Sequence, residues 1–372
     1  MTYFLEVMGE PFVVEDVPVQ VTADPARGEV RRRLEVIPPV SLALTRDVQL
    51  FAPRSTRTVE VDALANRPKQ TGEVRLDVPE GWSVSPEKQP FSFDAAGGHA
   101  RFAFQVTAPG ATGRAKLSAG AATGGGWYNT GRQEIRYEHI PTQLLQPPAT
   151  VRAACADLQV SARRVGYLPG AGDRTAEALE QMGCAVTVLN GADLVPERLK
   201  NFDAVVVGVR AFNVRTDLAA GLPALFAFAE EGGTVVAQYN TPGELKTDKL
   251  APYKLTLSRD SPKYRVTDEN APMTFLAPDH PALNTPNKIT PADFEGWTQE
   301  RGIYFPAEWD HEHFTALLAC NDKDEEPLQS GLLVARHGKG YFVYTGLSFF
   351  RQLPAGVPGA YRLFANLVSL GR

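Results

Sequence analysis

The sequence predicts a β-rich domain of sandwich type followed by an α/β domain with a mostly parallel sheet. Three observations carry that reading. Up to about residue 140, apolar and polar side chains alternate with a period of two between short turn signals. From Arg164 onward, continuous apolar runs alternate with helical patterns. Between these regions, Pro141 and Pro147-Pro148 interrupt a small, weakly patterned stretch. A period of two puts every second side chain on one sheet face, whereas unbroken apolar runs need burial on both faces.

In the first region, Thr58-Val-Glu-Val61, Val74-Arg-Leu-Asp-Val78 and Phe102-Ala-Phe-Gln-Val106 alternate as half-buried strands do. Asn66-Arg-Pro68, Pro79-Glu-Gly81, Ala96-Gly97-Gly98 and Pro109-Gly110 separate them as turns. Val17 to Val21 and Leu34 to Ile37, ahead of Pro38-Pro39, also read as strands. They either start the sandwich or finish a preceding module. The organisation expected is a β-rich lead-in over 1–45, a sandwich over 46–140, a linker over 141–162 and an α/β domain over 163–372.

In the second region, Arg164 to Leu168 is a short strand running into Pro169-Gly-Ala-Gly172-Asp173. A helix follows over Thr175 to Met182, closed by Gly183 as C-cap. Ala185 to Leu189, Phe202 to Gly208 and Thr234 to Gln238 are further strands, with a helix over Pro223 to Glu231 stopped by Gly232-Gly233. After the loop-rich stretch 241–330, Gly340 to Thr345 restores a strand and Tyr361 to Leu370 forms a closing helix.

Composition limits the function classes. The 372 residues are 43% hydrophobic and 22% charged, with a net charge of −5, so cores can form and no phosphate backbone is invited. Nucleic acid is not an expected partner. No run approaches 18 apolar residues, so no membrane-spanning helix is expected. Cys155, Cys184 and Cys320 lie far apart without a CxxC, which argues against both a disulfide framework and a cysteine zinc cluster. Met1 to Met8 lacks a basic region, a long apolar run and a cleavage site, so it is no secretory signal. The chain is expected to be cytoplasmic, or a piece whose targeting and catalytic parts lie upstream.

From Arg164 to Arg372 the order of elements resembles the class I glutamine amidotransferase-like (flavodoxin-like) three-layer α/β/α fold in its ThuA-like variety, carried by Phe202 to Gly208, Glu231 to Val236 and Gly338 to Thr345. The first part, with Val78-Pro-Glu-Gly-Trp82-Ser-Val-Ser-Pro86, resembles an immunoglobulin-like sandwich. Pro25 to Glu29, Tyr137 to Pro141, Arg265 to Asn270, Pro278 to Pro281, Asp293 to Phe305 and Gly346 to Pro354 together are similar to the C-terminal region of large bacterial PIG-L (LmbE-like) de-N-acetylases. In that family a His-Pro-Asp-Asp motif and a distal His hold zinc in an N-terminal domain. This chain has no such motif; its nearest string, Pro278-Asp-His-Pro281, runs in another order. The resemblance therefore implies zinc only for an upstream deacetylase domain and no cofactor in this chain. It implies an exported parent.

An amidotransferase-like fold works through a Cys on a sharp strand-to-helix turn, activated by His and a carboxylate. By order of elements that turn is expected after strand 234–238, where the sequence reads Ala237-Gln-Tyr-Asn-Thr241, without Cys or flanking glycines. No G-x-S-x-G replaces it, so the domain reads as a pseudoenzyme and no catalytic residue is assigned. The three cysteines read as small buried hydrophobes. Gly170-Ala-Gly172 lacks the third glycine of a dinucleotide fingerprint, Thr175 standing there; the alternative is a tight turn with Asp173 as N-cap.

The remaining candidates are binding residues. Arg210, Asn213, Gln238, Tyr239 and Asn240 follow predicted strand ends, and Arg351 with Gln352 follows another, where open parallel sheets bind ligands. Their types suit a polyhydroxylated compound, neutral or anionic. Equally, they can tie down loop 241–262. Trp127 and Tyr128, after Gly124-Gly-Gly126, are candidates for stacking on sugar, whereas Trp82 reads as sandwich core. Trp297 is a further aromatic of the same kind. His311 and His313 would share a face if their segment were a strand, as two metal ligands should; otherwise they lie in a polar loop. The expected function is a non-catalytic accessory region of a PIG-L-type deacetylase, binding carbohydrate or packing on the upstream catalytic domain. The alternatives are an autonomous ThuA-like enzyme or binding protein acting on a sugar, and a structural spacer.

Overall fold

Alternation in the sequence becomes alternation in burial. Strand Thr56–Ala65 buries Val59, Val61, Ala63 and Ala65 and turns the intervening residues outward. It pairs antiparallel with Val40–Leu44 on one side and His99–Thr107 on the other, and Ser83–Ser85 adds the fourth strand. Outer residues Arg101 and Asp62 lie opposite each other and join through hydrogen bonds of 2.7 and 3.0 Å. A second antiparallel arrangement pairs Gln70–Asp77 with Lys88–Phe93 and with Gly113–Thr123. Its buried face carries Val74, Leu76, Phe91, Phe93, Leu117, Ala119 and Ala121. Strand Gly126–Tyr128 returns along Gly113–Thr123 through the two-residue turn Gly124-Gly125, both at positive φ as such hairpins require.

The structure, a computed structural model, describes residues 1–26, 28–260 and 263–372. Arg27, within the Pro25 to Glu29 phrase, and residues 261 and 262, at the end of loop 241–262, lie outside the described residues. Strand residues make up 40% and helix 15%, so the chain is mostly β. It divides into two compact units: residues 1–47, 56–107 and 116–151 form one, and residues 48–55, 108–115 and 152–372 the other.

The lead-in of the first unit is two hairpins, Thr2–Val7 with Glu10–Glu15 and Val19–Asp24 with Gly28–Arg33. Leu34 to Ile37, expected as a strand, joins no ladder. The Pro38-Pro39 pair that follows has no N–H to extend one. The second hairpin is held by Arg32, whose Nη2 donates to Glu134 at 2.9 Å. Glu134, on strand Gln133–Ile135, also accepts from Arg132 at 2.5 Å and from Arg136.

The stretch 141–162 is not the plain connector expected. It carries strands Gln143–Leu145 and Thr150–Cys155, and Ala149, Val151 and Ala153 to Ala156 are buried. Small residues buried along consecutive positions leave no alternation to read, which is why the stretch looks unpatterned.

In the second unit a seven-stranded sheet runs in the order Ala185–Val188, Arg164–Leu168, Ala204–Val207, Thr234–Gln238, Gly340–Thr345, Leu332–His337, Phe314–Ala316. The first five strands are parallel, Leu332–His337 runs against them, and Phe314–Ala316, antiparallel to it, runs with the first five again. Val206, Val236 and Val343 cluster with Leu179 of helix Thr175–Gln181 and with Leu363, Phe364, Leu367 and Val368 of helix Pro358–Ser369. Val205, Val207, Val235 and Ala237 join the other cluster with Leu222, Leu225 and Ala229 of helix Leu218–Glu230. Successive residues of one strand thus face different cores, and that explains the unbroken apolar runs. The Leu218–Glu230 helix starts earlier than its expected onset at Pro223 and takes that proline inside. No helix of the described residues is long and apolar enough to cross a membrane.

Three guanidinium groups around Glu134 hold its carboxyl down at about 2, against an ordinary 4.5. A lowered carboxyl stabilises the fold above its ordinary pKa and ceases to as the pH falls through the lowered value. Denaturant stability measured from pH 6 to pH 2 is therefore expected to fall below about pH 4.5, and Glu134→Gln to flatten that fall.

Candidate functional site

Strand order reverses between Arg164–Leu168 and Ala204–Val207, the point where open parallel sheets accept ligands beyond their carboxyl ends. Here the two emerging turns are fastened to each other. Asp173 Oδ1 accepts from the Tyr167 hydroxyl at 2.7 Å and from Thr175 N–H at 2.8 Å, while Oδ2 accepts from Val209 N–H at 3.0 Å. Ala171 N–H donates to Val209 O at 2.8 Å, and a Cβ at Gly170 would lie 2.1 Å from that oxygen. Ala171 N–H and one Asp173 oxygen thus tie the Gly170 to Asp173 turn to the neighbouring loop, and Thr175 is buried beneath it.

Fastened in this way, the chain leaving Ala204–Val207 turns sharply at Gly208-Val-Arg210 into the short helix Ala211–Val214. Arg210 sits at φ +56° and ψ 23°, a left-handed conformation that a side-chain-bearing residue adopts only when its surroundings impose it. A sharp strand-to-helix turn, an elbow, therefore lies at Arg210, whereas the chain after Thr234–Gln238, where the order of elements suggested one, runs into a loop. The turn presents a guanidinium, which has no nucleophilic lone pair.

Arg210 N–H donates to Tyr239 O at 2.8 Å, linking the elbow to the end of strand Thr234–Gln238. Around Tyr239 gather groups from distant parts of the sequence. Its ring stacks on Tyr304 at 5.9 Å and lies 4.9 Å from Phe350. Arg351 projects over Phe350 at 4.7 Å, and its Nε bonds Glu300 Oε1 at 2.5 Å. Burial pushes the Tyr239 hydroxyl up, against the pull of Arg210 and Arg351 and with help from Tyr304 and Glu300. It stays protonated near neutrality and can donate. Segment 298–301 is held to helix Phe349–Gln352 by Gln352, which accepts from Thr298 N–H at 2.8 Å and donates to its carbonyl at 2.9 Å. The Ser348 hydroxyl donates to Glu300 O at 2.7 Å.

The six predicted binding residues separate into two groups. Asn213 donates to Thr241 O and Gly243 O at 2.9 and 2.7 Å and accepts from Thr241 N–H. The Asn240 side chain accepts from Phe212 N–H and donates to Gln238 O, and the Asn240 backbone N–H donates to the Tyr344 hydroxyl. Gln238 donates to Thr175 Oγ1 at 3.1 Å. These three are buried and tied: Asn213 and Asn240 hold the chain around residues 238–243, and Gln238 is bonded to the helix start at Thr175. Arg210, Tyr239 and Arg351 do come together. Glu300, Tyr304 and Phe350 complete the group, and sequence reasoning missed them because they lie in a loop and a short helix without periodic pattern. The positive φ of 51° at Tyr304, the one local feature that sets it apart, leaves no mark in the sequence.

The other candidates lie elsewhere in the fold. His311 and His313 lie in a turn between Pro306–Trp309 and Phe314–Ala316, so the strand that would align them is absent. His311 rests on Trp309, whereas His313 stacks on Tyr253 at 3.9 Å and bonds Asp310. Among the described residues no group of three His, Cys, Asp or Glu side chains is placed to hold a metal. In Pro278 to Pro281, His280 accepts from Ala282 N–H and caps a short helix, its pKa lowered by burial. Burial pushes the thiols of Cys184 and Cys320 up to about 11 and 12, which leaves them unreactive near neutrality. Trp297 is buried and donates to Asp293 O, while Trp82 is only half-buried rather than core. Trp127 is 46% exposed, its indole lying over Gly120, where any Cβ would collide with the ring at 1.9 Å. The Tyr128 hydroxyl folds back over Gly126.

Replacing Asn240 with Ala strands the Phe212 N–H, and replacing Asn213 strands that of Thr241. Each change is expected to lower stability by about 1–3 kcal/mol. Arg351→Ala takes the cation from the buried Glu300 carboxylate and is expected to cost about 1–3 kcal/mol as well. Thermal melts of the three variants check these losses.

No family model and no curated protein matches this chain. Among solved structures it is similar to a C. elegans MSP family member at 11% identity, over 31% of this chain and 97% of that one, with a TM-score of 0.19. A Salmonella alpha-2-macroglobulin matches at 17% identity over 37% of this chain and 8% of its own length, with a TM-score of 0.24. An exo-beta-1,4-mannosidase from an Opitutaceae bacterium matches at 13% identity over 56% of this chain and 36% of its own, with a TM-score of 0.32. This chain thus spans nearly all of the first protein but only a small part of the other two. At such identities and scores, no function passes from any of them to this chain.

Proposed function

We propose that this chain is the non-catalytic accessory region of a PIG-L (LmbE-like) zinc-dependent N-acetylglucosaminyl deacetylase. In this reading an immunoglobulin-like sandwich precedes a class I glutamine amidotransferase-like, flavodoxin-like α/β/α domain of the ThuA-like kind, and zinc belongs to the upstream catalytic domain. The accessory region binds carbohydrate at the strand-end face or packs on its partner. One observation carries most weight: the elbow holds Arg210, with Tyr239 and Arg351 beside it, and no nucleophile. What remains at that face is a set of donors and aromatic rings, suited to holding a ligand rather than to attacking one. Weak affinity, around millimolar, is enough for a module tethered beside a catalytic domain.

The chain by itself is expected to release no acetate from N-acetylglucosamine oligosaccharides, with or without added zinc. Metal-dependent acetate release that disappears in the double variant His311→Ala, His313→Ala would overturn the accessory reading.

A further inference from the structure

A buried N–H donor without an acceptor is costly, and folded proteins rarely leave one. Among the described residues, the one buried side-chain nitrogen or oxygen with no partner is Arg210 Nε. It belongs to the same residue that sits in left-handed conformation at the elbow. Strain and an unsatisfied donor at one position are difficult to explain by packing, because a glycine there would remove both.

The surroundings explain what would satisfy it. Asp173, the carboxylate bonded to the residue just before Arg210, is already occupied by Tyr167, Thr175 and Val209. Glu300 is engaged by Arg351. Two guanidinium groups therefore stand against one carboxylate around Tyr239, whose hydroxyl donates no hydrogen bond among the described residues. The half-exposed rings of Tyr304 and Phe350 border this group. The face is rich in donors and positive charge and poor in free acceptors. A neutral sugar would leave that charge unanswered. An oxyanion would answer it, and flat rings beside it suit the apolar face of a pyranose.

We propose that this face binds an acidic sugar, a pyranose carrying a carboxylate or a phosphate, with Arg210 gripping the oxyanion and Tyr304 and Phe350 lying along the ring. The proposal rests on the reading of this face as a carbohydrate site and narrows it to anionic sugars. Arg351, fixed by Glu300, supplies the second positive charge, and Tyr239 donates from beneath.

The test is calorimetric titration of the full chain with glucuronate, glucose 6-phosphate, glucose, acetate and inorganic phosphate, together with thermal melts. One of the two acidic sugars is expected to bind at least tenfold more tightly than glucose and than its own free anion. Whichever of the two binds more tightly names the oxyanion. Arg210→Met should weaken that binding at least tenfold while raising the unliganded melting temperature by about 2–4 °C, since it removes the unsatisfied donor. Tyr304→Gly, which removes the ring and relieves the positive φ, should weaken it at least fivefold and keeps the test open if Arg210→Met does not fold. Equal binding of glucose, equal binding of the free anions, or unchanged affinity in either variant overturns the proposal. A preference for neutral sugar would remove this inference and leave the accessory reading standing. Acetate release would do the reverse.

Discussion

The Asp173 carboxylate determines the shape of the strand-end face. Its two oxygens collect the Tyr167 hydroxyl from strand Arg164–Leu168, the N–H of Thr175 at the start of the next helix and the N–H of Val209 before the elbow. Burial and the adjacent negative charge push the Tyr167 hydroxyl far up, so that contact always runs from hydroxyl to carboxylate. With Val209 N–H taken by Asp173 and Val209 O taken by Ala171, the chain has no freedom before Arg210. The next residue must turn back toward Tyr239, and it does so in a conformation that few side-chain-bearing residues tolerate. Gly170 is required at the same place, because the backbone of the elbow fills the space its Cβ would need.

The rest of the face is held from the opposite side. Gln352 and Ser348 are both buried and satisfy the backbone of 298–301. Arg301 is buried as well and donates to Ala271 O and Phe294 O, which anchors the segment against the core beneath Phe294 and Trp297. Asn366 adds a fixed point lower down, giving and taking four hydrogen bonds with Asn287 and Ala282. Buried amides such as these tolerate little movement, because each broken contact leaves a donor or acceptor without water. The half-exposed side chains of Arg210, Tyr304, Phe350 and Arg351 therefore stand on a rigid base, the arrangement that preorganised binding requires.

The same packing accounts for the cysteines, the histidines and the turn at Arg210. The thiols are buried and pushed up, the histidines lie on aromatic rings or cap a helix, and the elbow carries a guanidinium. Tying side chains and gripping side chains alternate within a few residues: Arg210 and Asn213 share one turn, as do Gln238, Tyr239 and Asn240. Hydrogen bonding distinguishes them: Asn213, Gln238 and Asn240 are bonded to neighbouring segments, whereas Arg210 is half-exposed and the buried Tyr239 keeps a hydroxyl without a partner among the described residues.

Much of the architecture was legible in the residues. The alternation at Thr58 to Val61 and the unbroken apolar run at Ala204 to Val207 identify a half-buried and a fully buried strand, because periodicity reports directly how many faces a strand hides. The convergence of Arg210, Tyr239 and Arg351 was also within reach, since parallel strands end at a common edge. The strand through 150–155 was not, because small residues buried together carry no period. Nor was the position of the elbow, the reduction of Asn213, Gln238 and Asn240 to ties, or the arrival of Glu300 and Tyr304. These follow from contacts between segments far apart in sequence and from backbone torsions that no residue type announces. By itself, the sequence determined which segments form strands and which chemical groups lie near strand ends. Only the tertiary structure decided which of those groups are buried and satisfied and which are left with a hydrogen bond still to make, because satisfaction depends on partners that folding alone brings within reach.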